Sequence, residues 1–256
     1  MLLLWVCKDS DELSKIKKDQ VHKTMHNSKK MSYCPPTPPP SLSELLSNVP
    51  SDFNEDLIEL LMFWFNQYKL TSIKSFYHDM GASKVNDLWT NIWFAKGETQ
   101  QWMDTELEKY HHHYNTYKDY QPRYLYEYIA MIVLYDQIPR NIFRNTQQAY
   151  ETDHIAFSLA QQLVEHMQYI PIQFNISIIM SFVHQESLQD LKKCRLLIDA
   201  LENKYPQYNV LTNLNLIYKN HNDRIELFGR VPERNKFFNR PSTEQELIYL
   251  RNVNQF

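Results

Sequence analysis

From Ser41 onward, apolar residues recur at spacings of three and four, the period of a helix face and not of a strand. The stretch SLSELLSNV, from Ser41, is short and amphipathic. NEDLIELLMFWFNQY, from Asn54, opens on acids, as a helix N-terminus favours. The same patterning predicts helices over 84–94, 100–118, 122–137, 147–168, 175–204 and 211–228. A last helix begins near Ser242, with Ser242 and Thr243 as cap candidates before Glu244 and Glu246. No alternating stretches pair as strands, and no clean repeat of about 34 residues stands out. The expected fold is all-α, a single helical domain over residues 41–256. Residues 1–40 read differently, running from a lysine-rich polar segment into CPPTPPP. That run favours an extended conformation without internal hydrogen bonds, so a disordered proline-rich extension is expected there. Met31 could itself be a start.

The helical stripes carry polar residues where apolar ones belong. In helix 122–137 the inward face runs Leu125, Ile129, Ile132 and then Asp136; in 147–168 it runs Ala149, Asp153, Ala156, Ala160 and Leu163. In helix 175–204 it runs Ile176, Met180, His184, Leu188 and Leu191; in 211–228, Leu214, Ile217, His221, Ile225 and Phe228. Two aspartates and two histidines should therefore point inward. An unpartnered buried carboxylate costs on the order of several kcal/mol, so arginines are expected beside them: Arg140, Arg144, Arg230, Arg234 and Arg240 are the candidates. Guanidinium groups suit buried pairing and bidentate capture of carboxylate or phosphate. A surplus of arginines over aspartates would leave cation capacity for an anion from solution. With no surplus, the same residues are ion pairs that join helices and bind nothing.

Backbone punctuation adds two corners. Pro139 should end the helix that carries Asp136 and Gln137, leaving Arg140 at the bend. Gly229 falls just past a predicted helix end, where a left-handed residue closes the last turn, and Arg230, Pro232 and Arg234 follow.

Composition narrows the function classes. Only three glycines occur, Gly81, Gly97 and Gly229, too far apart for a dinucleotide fingerprint, a P-loop or a nucleophile elbow. A net charge of −3 gives no general attraction for nucleic acid. Cys7, Cys34 and Cys194 form neither a zinc knuckle nor a disulfide framework, which suggests a reducing compartment. No apolar run approaches the roughly 18 residues of a membrane span. MLLLWVC lacks the flanks of a signal peptide, so a soluble, cytoplasmic protein is expected. His111 to His113 invite a metal reading, but neighbouring helical residues point about 100° apart, and no metal or other cofactor is expected. His184, Ser187 and Asp190 resemble a catalytic triad only on paper.

Three motifs in order resemble the bacterial family called domain of unknown function 924: Asp136-Gln137-Ile138-Pro139-Arg140-Asn141, then Phe228-Gly229-Arg230-Val231-Pro232-Glu233-Arg234-Asn235, then Arg240-Pro241-Ser242-Thr243. Phe63–Phe65, Trp93-Phe94, Ala149-Tyr150 with Asp153, and His184 with Glu186 are similar to further motifs of that family. The resemblance covers roughly residues 55 to 250. It implies an all-α, tetratricopeptide-like helical array and no agreed reaction. Gln185, Leu227 and Glu233 depart from the family pattern, which has serine, arginine and histidine there; Arg224, one turn before Leu227, could reach the same space.

Two functions are consistent with these residues. The first is a site for a small anionic ligand, phosphorylated ones included. Arg140, Arg230, Arg234 and Arg240, with Asn141, Asn235, Glu186 and Asp153, would hold the ligand, and His184 or His221 with Asp136 would handle a proton. The second is a helical scaffold that reads an acidic peptide or a C-terminal carboxylate.

Overall fold

The computed structural model describes residues 41–45, 53–66 and 76–253; the extension expected over residues 1–40 lies outside them. Among the described residues there are helices and turns and no strand, as the periodicity requires. The helices are α1 (Leu42–Leu45), α2 (Glu55–Trp64), α3 (Ala82–Leu88), α4 (Gly97–Glu108), α5 (His113–Tyr117), α6 (Leu125–Ile132), α7 (Ile138–Ile142), α8 (Asp153–Leu163), α9 (Ile172–Val183), α10 (Leu188–Lys204), α11 (Val210–Phe228) and α12 (Glu244–Val253). None is long and apolar enough to cross a membrane.

The core forms around two helices that are apolar on nearly every side. All of α6 and all of α9 are buried, as expected of helices without a solvent face. Helix α9 packs against α6, α8, α10 and α11, and α2 packs against α6. Two of their polar side chains tie neighbouring segments to the core. Glu127 takes hydrogen bonds from the Arg123 and Tyr124 backbone and from the Tyr120 and Tyr126 hydroxyls, closing the N-terminus of α6. Gln173 of α9 binds the Phe76 and His78 carbonyls and the Met80 N–H, tying the segment before α3 to the core.

Several predicted helices are interrupted, each for a local reason. Residues 122–137 do not stop at Pro139. Helix α6 widens into a π turn over Val133–Gln137, with Ile138 N bonded to Val133 O, and continues as α7. An unbroken α-helix would offer the residue 139 N–H to the Tyr135 carbonyl. Pro139 has none, and the Thr152 hydroxyl donates there instead at 2.6 Å. Side chains also serve the next two carbonyls, Arg140 on Asp136 O and Asn141 on Gln137 O.

The predicted helix 175–204 is two helices. Helix α9 ends at Val183 and α10 starts at Leu188, because Ser187 is extended and its hydroxyl caps the Asp190 N–H at 3.3 Å. Leu188 is consequently exposed, not on the inward face. Residues 100–118 break after Glu108, and the histidine run straddles the turn. His111 and His112 are exposed, while His113 is buried between Tyr110 and Tyr117. Residues 147–168 divide into a 3₁₀ turn at Gln147–Tyr150, α8, and a second 3₁₀ turn at Val164–Tyr169.

Gly229 ends α11 in the left-handed region at φ 71°, as its position suggested. The chain then forms a 3₁₀ turn at Pro232–Arg234 and enters α12. Thr243 is the cap of α12. Its hydroxyl accepts from Glu246 N, while Glu246 accepts from Thr243 N. Ser242 is instead bonded by the Asn235 amide.

Candidate functional site

The π turn, the C-terminal end of α9, the first turn of α8 and the 3₁₀ turn after Gly229 bring charged groups to one place. Widening the backbone at Val133–Gln137 sets Asp136 fully inward. Its Oδ1 lies 2.7 Å from His184 Nδ1, and the Gln137 amide donates to its other oxygen. Arg140 sits one turn later, with Nη1 3.2 Å from Asp136 Oδ1. The same guanidinium grips Asp153 with two parallel hydrogen bonds of 2.6 and 2.8 Å. Asp153 is the least enclosed of the four sequence-predicted inward residues; Asp136, His184 and His221 are buried.

Arg234 reaches this cluster from the other side. It is 7% exposed, and its Nη1 donates to the His184 carbonyl at 3.0 Å. Glu186 Oε1 at 3.7 Å and Asp153 Oδ2 at 4.0 Å are too distant to accept from it. Its guanidinium makes no other hydrogen bond among the described residues, although such a group carries five N–H donors. The Tyr150 ring supports both cations, 4.8 Å from the Arg234 guanidinium carbon and 5.6 Å from that of Arg140.

The two histidine rings stand edge to face, 5.8 Å apart between centroids. They are chemically unequal. His184 has a carboxylate on Nδ1, while Nδ1 of His221 is buried with no partner among the described residues. Burial, with the Arg140 charge, lowers the His184 pKa despite the opposing pull of Asp136. Burial, followed by Arg224, His184, Arg234 and Arg140, drives His221 well below the ordinary histidine value. For Asp136, burial alone would raise the pKa, but His184 and Arg140 outweigh it and the net shift is downward. Burial and the Arg140 charge lower the Arg234 pKa, only partly opposed by Asp153 and Glu186. The resting site is thus an aspartate ion beside neutral imidazoles, with one poorly matched guanidinium.

The remaining arginines are bound by glutamates. Glu186, in the turn between α9 and α10, takes two bonds from Arg240 and one from the Val231 N–H, and so holds down the segment that carries Arg234. Arg230 turns away from the histidines onto α12, where it pairs with buried Glu246 at 2.6 and 2.8 Å and donates to Pro241 O. Arg224, one turn before Leu227, is bonded to Glu233 and to the Tyr249 hydroxyl, so it pairs with the glutamate that departs from the family pattern. Arg144 pairs with Asp104 outside the cluster, and Asn141 bridges Gln137 and Arg144 there. Asn235 donates to Ser242, and its buried Oδ1 has no partner among the described residues.

The anticipated arginine surplus therefore shrinks, because Glu186, Glu233 and Glu246 were not counted against it. Of the residues singled out, Asp136, Arg140, Asp153, His184, His221, Glu186, Arg234 and Arg240 come together, while Arg230 and Asn141 belong to neighbouring contacts. Tyr150 as a cation platform and Glu246 as the Arg230 partner were missed. Thr243-x-x-Glu246 is a capping-box spacing, which was the available signal for Glu246. No group of three or more His, Cys, Asp or Glu side chains suited to a metal ion occurs among the described residues.

A model of the family described as bacterial protein of unknown function, DUF924, matches residues 60–254. Among solved structures, a protein of unknown function from Agrobacterium tumefaciens is similar at 24% identity and a TM-score of 0.51. The match covers 67% of this chain and 97% of that one, and at this identity it speaks to the fold alone. No curated protein matches the chain.

Proposed function

The chain belongs to the DUF924 family of bacterial proteins of unknown function, and for this member we propose a binding site for a small anion, phosphorylated metabolites included, centred on Arg234 and the two histidines. One observation carries the reading: a buried guanidinium with a single hydrogen bond, and that to a backbone carbonyl. Buried charge is normally matched by acceptors, and a guanidinium held 3.7 and 4.0 Å from its nearest carboxylate oxygens still has N–H donors to offer an anionic guest. Arg140 is committed to Asp153 and Asp136 and acts by orienting them. His184, held by Asp136 in a defined tautomer and neutral at rest, is the proton acceptor of the site.

A thermal-shift series with phosphate, sulfate, nucleoside monophosphates and acidic peptides tests this reading. Phosphate should raise the Tm of the wild-type protein by mass action and leave that of Arg234→Ala unchanged, with Arg234→Lys intermediate. No shift with any of these anions on the folded wild-type protein sinks the proposal.

A second reading is supported by the acid–arginine pairs Arg140–Asp153, Arg230–Glu246, Arg240–Glu186 and Arg224–Glu233. In it, the network is purely structural and the protein is a tetratricopeptide-like scaffold for a peptide. Stabilisation by acidic peptides but not by phosphate would favour it.

A further inference from the structure

We propose that the guest is a tetrahedral oxyanion and that each one bound brings a proton from solvent onto His184. This rests on the anion-site reading above and names the ligand geometry and the linkage that go with it. Charge balance is the first reason. Asp136 and Asp153 offset Arg140 and Arg234, Glu186 offsets Arg240, and both imidazoles are neutral at rest. A dianion entering so enclosed a place adds two negative charges, and a proton taken up with it removes one of them.

The second reason is which group can take that proton. His184 is faced by Asp136 and Arg140 from the π turn and α7, by Asp153 from α8, by His221 from α11 and by Arg234 from the 3₁₀ turn; Glu186 lies two residues along its own chain. Among these, Asp136 touches the ring itself, at Nδ1. An imidazolium at His184 therefore already has its counter-charge 2.7 Å away and would present Nε2–H to the guest. His221 has no such carboxylate. Its neighbours Arg224, Arg234 and Arg140 are cations, and it stays a neutral partner.

Geometry supplies the oxyanion class. Polar groups come from three elements: the Arg234 guanidinium, 4.8 Å from the Tyr150 ring centre, and the two imidazole rings at 61° to one another. His221 Nδ1 is buried and unpartnered, a polar atom awaiting a guest. A planar carboxylate offers two oxygens in one plane, whereas a sulfate or phosphate group offers oxygens to all three donors.

Sulfate is the useful probe, because it carries no proton of its own near neutral pH. Titration calorimetry at about pH 6.5 in buffers of differing ionisation enthalpy should show uptake of about one proton per sulfate, with affinity falling about tenfold per pH unit above that. His184→Gln should abolish the uptake and the pH dependence, while His221→Gln should weaken sulfate binding yet keep the proton uptake per sulfate bound. Acetate should bind at least about tenfold more weakly than sulfate. Sulfate binding without proton uptake, uptake that survives His184→Gln, or equal affinity for acetate each overturns the inference and leaves the anion site intact. Absence of any sulfate or phosphate binding to the folded wild-type protein overturns the site itself.

Discussion

Asp136 and His184, 48 positions apart, meet through a 2.7 Å contact between Oδ1 and Nδ1 inside a helical body where neither side chain has appreciable contact with water. The pairing fixes which imidazole nitrogen faces the aspartate and which is left for other use. It also joins the π turn to the C-terminal end of α9. Asp136→Ala would leave His184 without its orienting acceptor and Arg140 without one of its two carboxylates. Removal of one member of a buried ionic cluster should lower the unfolding free energy by about 3–5 kcal/mol, measured by urea denaturation. Asp136→Asn, which keeps a hydrogen-bonding oxygen, should cost clearly less; equal losses would show that the charge alone, and not the hydrogen-bonding oxygen, carries the contribution.

The contact between Thr152 and Tyr135 makes a separate prediction. The Thr152 hydroxyl serves the carbonyl that Pro139 cannot. Thr152→Val keeps the shape and removes the donor, so a loss of about 1–3 kcal/mol is expected. Pro139→Ala returns an N–H to the helix and should shrink that loss in a double-mutant cycle. Additive effects would mean that the hydroxyl is not compensating for the proline.

These two regions show what was legible in the sequence and what was not. Asp136, Asp153, His184 and His221 could be found because each interrupts an apolar stripe at helical spacing, and their burial follows from the stripe. The break at His184–Ser187 left no such trace. It depends on a serine cap with no glycine or proline to announce it, and the periodicity carries on past it. Pro139 was read as a stop because the hydroxyl that rescues it belongs to Thr152, 17 positions from the Tyr135 carbonyl it serves. Glu186, Glu233 and Glu246 were invisible as arginine partners, since a glutamate in a turn or in the first turn of a helix looks like an ordinary surface residue until the chain folds over it.

Glu246 should dominate part of the acid limb of stability. Burial would raise its carboxyl pKa, but Arg230 and the Thr243 N–H outweigh burial and bring it from 4.5 to about 2. A carboxyl depressed on folding contributes stability above its unfolded pKa and loses it as pH falls through the folded value. The stability difference between wild type and Glu246→Gln should therefore be constant above about pH 5 and shrink between roughly pH 4.5 and pH 2. A difference that is flat across that window would show that Arg230 and Glu246 do not interact as charges in solution.

Tyr150 tests the cation platform. Its ring lies under Arg234 and Arg140 and is flanked by Phe237 and Phe238. Tyr150→Phe keeps the ring face and should change stability by less than about 0.5 kcal/mol, whereas Tyr150→Leu should lose about 1–2 kcal/mol in thermal denaturation. If the hydroxyl and not the ring matters, the order of the two variants reverses.

The buried histidines give the last prediction. Burial, ahead of the nearby arginines, lowers both His184 and His221 from 6.5, His221 furthest. A histidine that is harder to protonate in the folded chain than in the unfolded one leaves stability untouched at high pH. It then removes stability as pH falls below the unfolded value, because the unfolded chain binds the proton first. Unfolding free energy should decline from about pH 6.5 downward, before the carboxylates begin to titrate. His221→Gln, which keeps a polar side chain without the ionisation, should flatten that decline when urea midpoints are compared across pH. A variant whose decline below pH 6.5 matches the wild type would place the acid sensitivity elsewhere. In that case the cationic surroundings of His221 would not be exerting the field that their positions imply.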